Sequence, residues 1–175
     1  KFWPGLQIAG KDNLRQQSAM WQAMLLSAGI APSERILIHG HIMVAGQKMS
    51  KSLGNVISPD ELIEKFGKDG TRYLLLSSGN LENDPDITLE RLAEKYNADL
   101  ANGLGNLASR LVKLSERLSD AVPVALAIEY PEALSQLIAE YRLADALEWI
   151  IERTRALDKS IAEQKPWELA KTDVV

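Results

Sequence analysis

Residues 35–55 read RILIHGHIMVAGQKMSKSLGN, and a change of character within this stretch decides the fold of the first part of the chain. The first ten residues, 35–44, are rich in β-branched and other apolar side chains and are interrupted by Gly40. This pattern predicts one strand or two short ones. The remaining residues, 45–55, are polar, basic and bounded by glycines, which predicts a loop.

The stretch before it completes an alternating pattern of strand and helix. Residues 6–9 predict a short strand, which Gly10-Lys11-Asp12 closes, with Asp12 expected as the N-cap of the next helix. Apolar side chains between Leu14 and Leu26 fall largely on one helical face. The order strand, helix, strand, loop predicts a fragment of an α/β sheet.

The remainder of the chain has a helical pattern. Ser58 and Pro59 predict a helix start, Gly67 predicts its end, residues 69–78 predict a second helix, and residues 80–86 predict an acidic connector. From Leu89 onward, leucines recur in steps of four and three, which predicts an apolar stripe on a long helix. The stripe comprises Leu100, Leu104, Leu107, Leu111, Leu114 and Leu118. Pro123 is expected to break this helix, and Pro131 is expected to open the next, which ends at about 137–140. Another helix is expected at 143–162, followed by the break at Pro166 and a final turn or short helix at 167–171.

Composition excludes several classes of protein. The chain has 175 residues, of which 46% are hydrophobic and 25% charged, so it is expected to fold around a core. A net charge of −4 means that any nucleic acid would have to be bound by a local basic patch. With no cysteine and only His39 and His41, no metal site is expected. No apolar run approaches the roughly 18–20 residues of a membrane span and no secretory signal is visible, so a cytoplasmic protein is expected.

The glycine-bounded loop carries side chains suited to a polyphosphate. Lys48 and Lys51 are three residues apart, and Ser50 and Ser52 add hydroxyl groups. Ammonium groups on long, flexible stems can follow phosphate oxygens as negative charge develops on them. From these residues alone, a solvent-exposed basic loop without a ligand remains an equal alternative.

The literal string Lys48-Met49-Ser50-Lys51-Ser52 resembles the KMSKS motif of class I aminoacyl-tRNA synthetases, and Leu53-Gly54-Asn55 continues it as in that family. The resemblance implies that Lys51, supported by Lys48, acts in catalysis by stabilising the ATP triphosphate, with Ser50 and Ser52 as further ATP contacts. The implied reaction is attack of an amino-acid carboxylate on the α-phosphate of ATP, with pyrophosphate as the leaving group. ATP is expected to be bound together with Mg²⁺.

Three further stretches resemble the methionyl-tRNA synthetases. The first is residues 10–15 followed by Trp21, the second is residues 97–110, and the third is residues 165–171. In the first, Gly10 and Asp12 match positions near the ATP ribose, Lys11 a phosphate-side lysine, and Trp21 a wall of the methionine pocket. Gln16 and Gln17 depart from the aromatic residue and histidine usual there.

The same resemblance assigns residues of the preceding strand and of the helical part. His39 matches a histidine on the strand before the KMSKS loop, and Ile42 lies in the stretch that receives adenine. Asn106, Arg110 and Trp167 match the residues that contact the CAU anticodon. Asn106 and Arg110 are four residues apart and so share a helix face, where both are expected to be free to read bases.

The resemblance implies an α/β fragment, the C-terminal part of a Rossmann-type nucleotide-binding domain, followed by an all-α helical bundle. The expected division is residues 1–57 for the catalytic part, 58–88 for a helical connector of the stem-contact type, and 89–175 for an anticodon-binding bundle truncated at its end. The implied activity is that of a methionine–tRNA ligase, with ATP, methionine and tRNA-Met as partners.

The chain opens on Lys1 and contains no HIGH motif. It is therefore expected to be a fragment that lacks the HIGH half and is inactive alone in ATP–pyrophosphate exchange. The zinc insertion of the family is expected before this segment, and no zinc is expected within it.

Two alternatives stay open. A leucine- or valine-type synthetase is disfavoured by Asn106, Arg110 and the Pro166-Trp167 pair, and a stand-alone tRNA-binding module by the intact KMSKS loop.

Overall fold

The computed structural model describes residues 3–116 and 130–168. The chain divides into two compact units. The first comprises the residues up to Gly67 together with Ser78–Thr88, and the second comprises Lys68–Ser77 together with the described residues from Leu89 onward. Most described residues are helical, and the strands are few and short.

The first unit contains a parallel pair of strands joined through helical segments. Strands β1 (Leu6–Gly10) and β2 (Arg35–His39) pair in parallel, with Leu6 opposite Arg35 and Gly10 opposite His39. Between them lie a 3-10 turn (Lys11–Asn13), a π-helical turn (Gln16–Met20) and helix α1 (Trp21–Ser27). The strand expected at residues 6–9 is confirmed. Parallel pairing brings the carboxyl ends of both strands to one edge, where ligands of open α/β sheets usually bind.

A β-hairpin follows β2 and spans the boundary between the expected strand and the expected loop. Strands β3 (Met43–Val44) and β4 (Gln47–Lys48) pair antiparallel, and the two residues between them, Ala45 and Gly46, have φ angles of 51° and 77°. Positive φ at both central residues is the geometry of the tight hairpin turn, and glycine adopts it without steric cost. Residues 35–44 thus form two short strands, as one of the two expectations had it. The segment 45–55, expected to be a loop, instead begins with the hairpin turn and strand β4, because alanine at the first turn position hides the hairpin signal.

Residues 80–87, which we call the return segment, pack back on the residues between β2 and β3. The N–H of Gly40 donates to the carbonyl of Leu81 at 2.8 Å, and the N–H of Met43 donates to that of Pro85 at 2.8 Å. The N–H of Ile87 donates to the carbonyl of Met43 at 2.8 Å. The connector expected at 80–86 is therefore held by backbone hydrogen bonds.

The approach of the return segment requires a glycine. A Cβ atom on Gly40 would lie 2.1 Å from the carbonyl oxygen of Asn83, well inside van der Waals contact. The side chain of Ile87, at the end of the segment, is 4% exposed and belongs to the core of this unit. Helix α2 (Pro59–Ser77) contributes Leu62 and Phe66 to the buried residues of the same unit.

Helix α2 begins as the sequence predicts. The Ser58 hydroxyl accepts a hydrogen bond from the N–H of Asp60 at 3.1 Å, and Pro59 occupies the first turn. At Gly67 the backbone leaves helical geometry, with φ 72° and ψ 167°, and the helix resumes beyond it. The two helices expected on either side of Gly67 are confirmed as two halves of α2.

The second unit is helical throughout its described part. After the second half of α2 it contains α3 (Leu89–Lys95), a π-helical stretch (Tyr96–Gly105), α4 (Asn106–Ser115), α5 (Glu132–Ala139) and α6 (Leu143–Gln164). Lys165 ends α6 in the left-handed conformation ahead of Pro166. Among the described helices, none combines the length and apolar character that a bilayer crossing demands.

The expected leucine stripe is only partly buried. Leu107 is 5% exposed, whereas Leu104 and Leu111 are 48% and 47% exposed. The π-helical stretch uses more residues per turn than an α-helix, so the phase of the stripe shifts across it. The spacing correctly predicted helix, and the helix it predicted is divided into the π-helical stretch and α4. Leu118 and Pro123 lie outside the described residues.

A buried carboxylate forms hydrogen bonds with residues of three helices in the second unit. Asp99 is 5% exposed and accepts hydrogen bonds from Lys95 Nζ at 2.8 Å, the Tyr73 hydroxyl at 2.8 Å and Arg155 Nη2 at 3.1 Å. Burial raises the pKa of Asp99, but the hydrogen bonds from Lys95 and Tyr73 and the positive charges of Lys95 and Arg155 together outweigh it, so the pKa is lowered overall. Burial and the Asp99 carboxylate raise the pKa of Tyr73, which keeps that hydroxyl protonated as a donor.

Candidate nucleotide site and nucleic-acid interface

The carboxyl ends of β1 and β2 form the floor of the candidate nucleotide site. Gly10 and His39 lie opposite each other in the strand register. A Cβ atom on Gly10 would lie 2.9 Å from Asp12 Oδ1 and 3.6 Å from His39 Cε1, so a bare backbone is exposed between two polar side chains. His39 Nδ1 lies 2.8 Å from the carbonyl oxygen of Gly40, which fixes the direction of the ring.

Two residues predicted for the site from distant parts of the sequence meet here. Lys48 Nζ donates a hydrogen bond of 2.9 Å to Asp12 Oδ2. Both side chains are about half exposed, at 50% and 53%. The bond from Lys48 lowers the pKa of Asp12. The expected role of Asp12 as a helix N-cap is wrong, because the helical turn starts after Gly10 and the Asp12 carboxylate faces the KMSKS lysine instead.

Lys11 is paired with an acid that was not among the predicted site residues. Its Nζ donates to Oδ1 and Oδ2 of Asp84 at 2.6 and 2.5 Å. The N–H of His41 donates to the same Oδ1 at 2.7 Å. The bond from Lys11, followed by that from the His41 N–H, lowers the pKa of Asp84. A local signal was present in the acidic run 82–86, but nothing in it indicated which lysine it meets.

The KMSKS turn is held by Asn55. The N–H of Ser50 donates to Asn55 Oδ1 at 2.8 Å, and Asn55 Nδ2 donates to the carbonyl of Lys48 at 3.2 Å. The Ser50 and Ser52 hydroxyls lie 2.8 Å apart at the start of a 3-10 turn, Lys51–Leu53. Lys51 is exposed and forms no ion pair with any described residue, so its ammonium group is available to a ligand.

Two other predicted residues lie at the surface of the first unit. Trp21, the first residue of α1, is 39% exposed, and Ile42, between β2 and β3, is 41% exposed. The carbonyl of Ile42 accepts a hydrogen bond from the N–H of Met49 at 2.9 Å, which connects it to the KMSKS loop. Within the described residues, Trp21 has no hydrogen bond or ring contact with the lysine and aspartate cluster.

The candidate nucleic-acid residues of the second unit are arranged differently from the expectation. Asn106 is exposed at the first residue of α4. Arg110, one turn later, has its Nη1 2.9 Å from Oδ1 of Asp158 on α6, so the prediction of a free guanidinium is wrong. Asp158 also lines a cavity of about 300 Å³ beside the π-helical stretch. Trp167 is half buried in a helical turn at residues 166–168.

Comparison with known proteins places these features in a family. Residues 1–112 match the family model described as tRNA synthetases class I (M). A methionine–tRNA ligase of Rhizobium meliloti is 38% identical over 99% of this chain and 36% of its own length. One from Thermotoga maritima is 35% identical over 98% of this chain and 29% of its own length.

Solved structures agree with these sequence matches. The Mycobacterium tuberculosis methionyl-tRNA synthetase bound by methionyl-adenylate superimposes with a TM-score of 0.80 at 35% identity, over 98% of this chain and 36% of that one. Its apo form gives a TM-score of 0.75 at 31% identity. The chain spans about a third of the length of the relatives it matches. The resemblance seen in the sequence is confirmed, and the chain belongs to the class I tRNA synthetases (M).

Proposed function

We propose that this chain is the part of a methionine–tRNA ligase that carries the KMSKS loop and the anticodon-binding helices. The full-length protein would activate methionine with ATP and transfer it to tRNA-Met. The observation that carries the catalytic half of this proposal is the contact of Lys48 with Asp12, which brings the KMSKS loop to the carboxyl edge of the parallel strands. Support also comes from the relatives, which are named methionine–tRNA ligases.

The proposed activation step is a displacement at phosphorus. A carboxylate oxygen of methionine forms a bond to the α-phosphorus of ATP, and the bond from that phosphorus to the bridging oxygen breaks, so that pyrophosphate leaves. Lys51 and Lys48 stabilise the negative charge that develops on the departing phosphates. Mg²⁺ would come with ATP, bound mainly through phosphate oxygens and water, and would neutralise part of their charge. Among the described residues, no group of three or more histidines and acids is suited to hold a metal ion by itself.

Other residues at the strand ends would bind the rest of the nucleotide and the amino acid. Gly10 and Asp12 lie where the ribose would sit, and Lys11 would contact the phosphates. His39 and the backbone near Ile42 would border the adenine. Ser50 and Ser52 would contact the phosphates within the KMSKS turn, and Trp21 would form a wall of the methionine pocket.

The proposed tRNA function belongs to the second unit. Asn106 and Arg110 lie one turn apart on α4, and Trp167 offers a flat ring on which an unstacked base can pack. We propose that these three residues contact the CAU anticodon. With them goes the proposed division into a nucleotide-binding part at 1–57, whose α/β fold continues a Rossmann-type domain, a connector at 58–88, and a helical anticodon-binding bundle at 89–175.

The test of the proposed activity is methionine-dependent ATP–pyrophosphate exchange by the full-length protein. Exchange is expected with methionine, and Lys51→Ala is expected to lower its rate at least tenfold with little change in methionine binding, because Lys51 acts on the leaving phosphates. Lys65→Ala removes an exposed lysine from α2 and serves as the matched control. Exchange with leucine or valine but not methionine would contradict the proposed substrate, and a normal rate for Lys51→Ala would contradict its role.

A further inference from the structure

The return segment places a carboxylate against a lysine of the candidate nucleotide site. Lys11 Nζ donates to both carboxylate oxygens of Asp84, at 2.6 and 2.5 Å, although the two residues are 73 positions apart in the chain. The Lys11 and Asp84 side chains are 43% and 37% exposed, so the pair lies at the surface where a ligand can reach it. We propose that Asp84 is a positioning residue that orients Lys11 toward the phosphates of ATP. This inference rests on the proposed function.

The backbone around Asp84 is fixed on both sides, which a positioning residue requires. The Gly40 N–H bonds to Leu81 and the Met43 N–H bonds to Pro85, so hydrogen bonds to the strand residues flank Asp84. The carboxylate itself accepts the His41 N–H at 2.7 Å. Because the carboxylate is anchored to the backbone of this strand region, it presents Lys11 with a fixed acceptor.

The pairing leaves Lys11 able to bind an anion. An ammonium group has three N–H donors, and the two oxygens of Asp84 take at most two of them. The remaining donor then has a defined direction. Holding a lysine in place before the ligand arrives removes part of the ordering cost of binding, which is otherwise high for so flexible a side chain.

The geometry also offers a substitution that separates the contact of Asp84 with Lys11 from its contact with the His41 N–H. In Asp84→Asn, the carbonyl oxygen can still accept the His41 N–H, which keeps the return segment attached. The amide NH₂ group replaces Oδ2 and points one donor at another in Lys11, which then keeps only its contact with the remaining oxygen. Asp84→Ala removes the two contacts with Lys11 and the one with the His41 N–H. Glu82→Gln neutralises an exposed acid two residues away in the same segment and is the matched control.

The experiment measures ATP binding to the full-length protein by equilibrium dialysis, with methionine binding and thermal unfolding measured in parallel. A misdirected Lys11 would make a weaker charged hydrogen bond to phosphate, so Asp84→Asn is expected to raise the Kd for ATP about tenfold. Methionine affinity should change less than about twofold, and the unfolding temperature should stay near that of the wild type. Glu82→Gln should leave all three unchanged, and Asp84→Asn should add nothing to Lys11→Ala.

Several results would overturn the proposal. A lowered Kd for ATP in Asp84→Asn would mean that Asp84 competes with phosphate for Lys11, and an unchanged Kd would mean that Asp84 does not orient Lys11 for ATP. An equal effect of Lys11→Ala and Asp84→Asn that simply adds in the double variant would show that the two residues act independently. Wild-type protein that binds ATP but not methionine would refute the proposed amino-acid substrate while leaving the role of Asp84 intact, so the two failures are distinguishable.

Discussion

Replacing Arg110 with alanine is expected to weaken tRNA binding without unfolding the second unit. Arg110 lies one turn from Asn106 on α4, and its guanidinium is 2.9 Å from Asp158. The Arg110 and Asp158 side chains are 37% and 43% exposed, so their ion pair is a surface pair worth about 0.2–1 kcal/mol of stability. The change in the free energy of unfolding should therefore stay below about 1 kcal/mol.

The expected loss in binding is larger than the loss in stability. A guanidinium that reads a base edge contributes about 1–3 kcal/mol of discrimination, which corresponds to roughly a 5- to 150-fold change in affinity. Since Asp158 compensates the charge of Arg110, the arginine adds little to the general attraction for phosphates. The loss should therefore depend on the anticodon sequence.

The assay compares two RNA hairpins at a fixed salt concentration by fluorescence anisotropy, using the full-length protein. One hairpin carries a CAU anticodon, and the other carries a changed anticodon in the same stem. The wild type should prefer the CAU hairpin, and Arg110→Ala should remove most of that preference. Arg153→Ala is the matched control, because it removes the same charge from α6, where the guanidinium of Arg153 lies 4.9 Å from the centre of the Trp149 ring.

Equal weakening of both hairpins by Arg110→Ala and Arg153→Ala would refute the reasoning, because bulk charge would then explain the effect. An unchanged affinity for both hairpins would show that Arg110 serves only as the partner of Asp158. Asp158→Asn extends the test. If Asp158 holds Arg110 in its reading position, this variant should lose discrimination while gaining affinity for the wrong hairpin.

Three further outcomes are expected. Trp167→Ala should weaken initiator and elongator methionine tRNAs alike, by about 5- to 150-fold if a base stacks on the ring, and affinities within about twofold of the wild type would count against the assignment. Leu74→Ala should lower the free energy of unfolding by about 2–5 kcal/mol in urea titrations, because this side chain is 1% exposed. Asp99 should contribute stability that is present above the ordinary carboxyl pKa of 3.8 and lost as the pH falls through its lowered folded-state pKa. Urea midpoints measured from pH 5 to 2 should therefore fall more steeply in the wild type than in Asp99→Asn.

The features that the sequence predicted well are local. Ser58, Pro59 and Gly67 act within one or two helical turns, so residue type and position were enough to locate the ends of the two halves of α2. The lysines of the KMSKS loop were likewise recognisable from the motif itself. In these cases the physical cause of the structure lies in neighbouring residues, and a sequence displays it directly.

The features that the sequence missed depend on contacts between distant segments. Lys11 meets Asp84, and Arg110 meets Asp158, across 73 and 48 positions. An acidic run or an arginine on a helix face does not reveal which partner the fold will bring to it. The π-helical stretch Tyr96–Gly105 was missed for another reason, since its leucine spacing also fits an α-helix.

The close approach at Gly40 has a consequence for how this protein can be recombined with its relatives. The backbone of Gly40 and the carbonyl of Asn83 leave no room for a side chain, so the two segments must fit each other closely. A chimera whose junction falls between these residues would combine a strand end from one parent with a return segment from the other. Junctions outside residues 40–87 keep both from the same parent, and chimeras made there should retain activity more often.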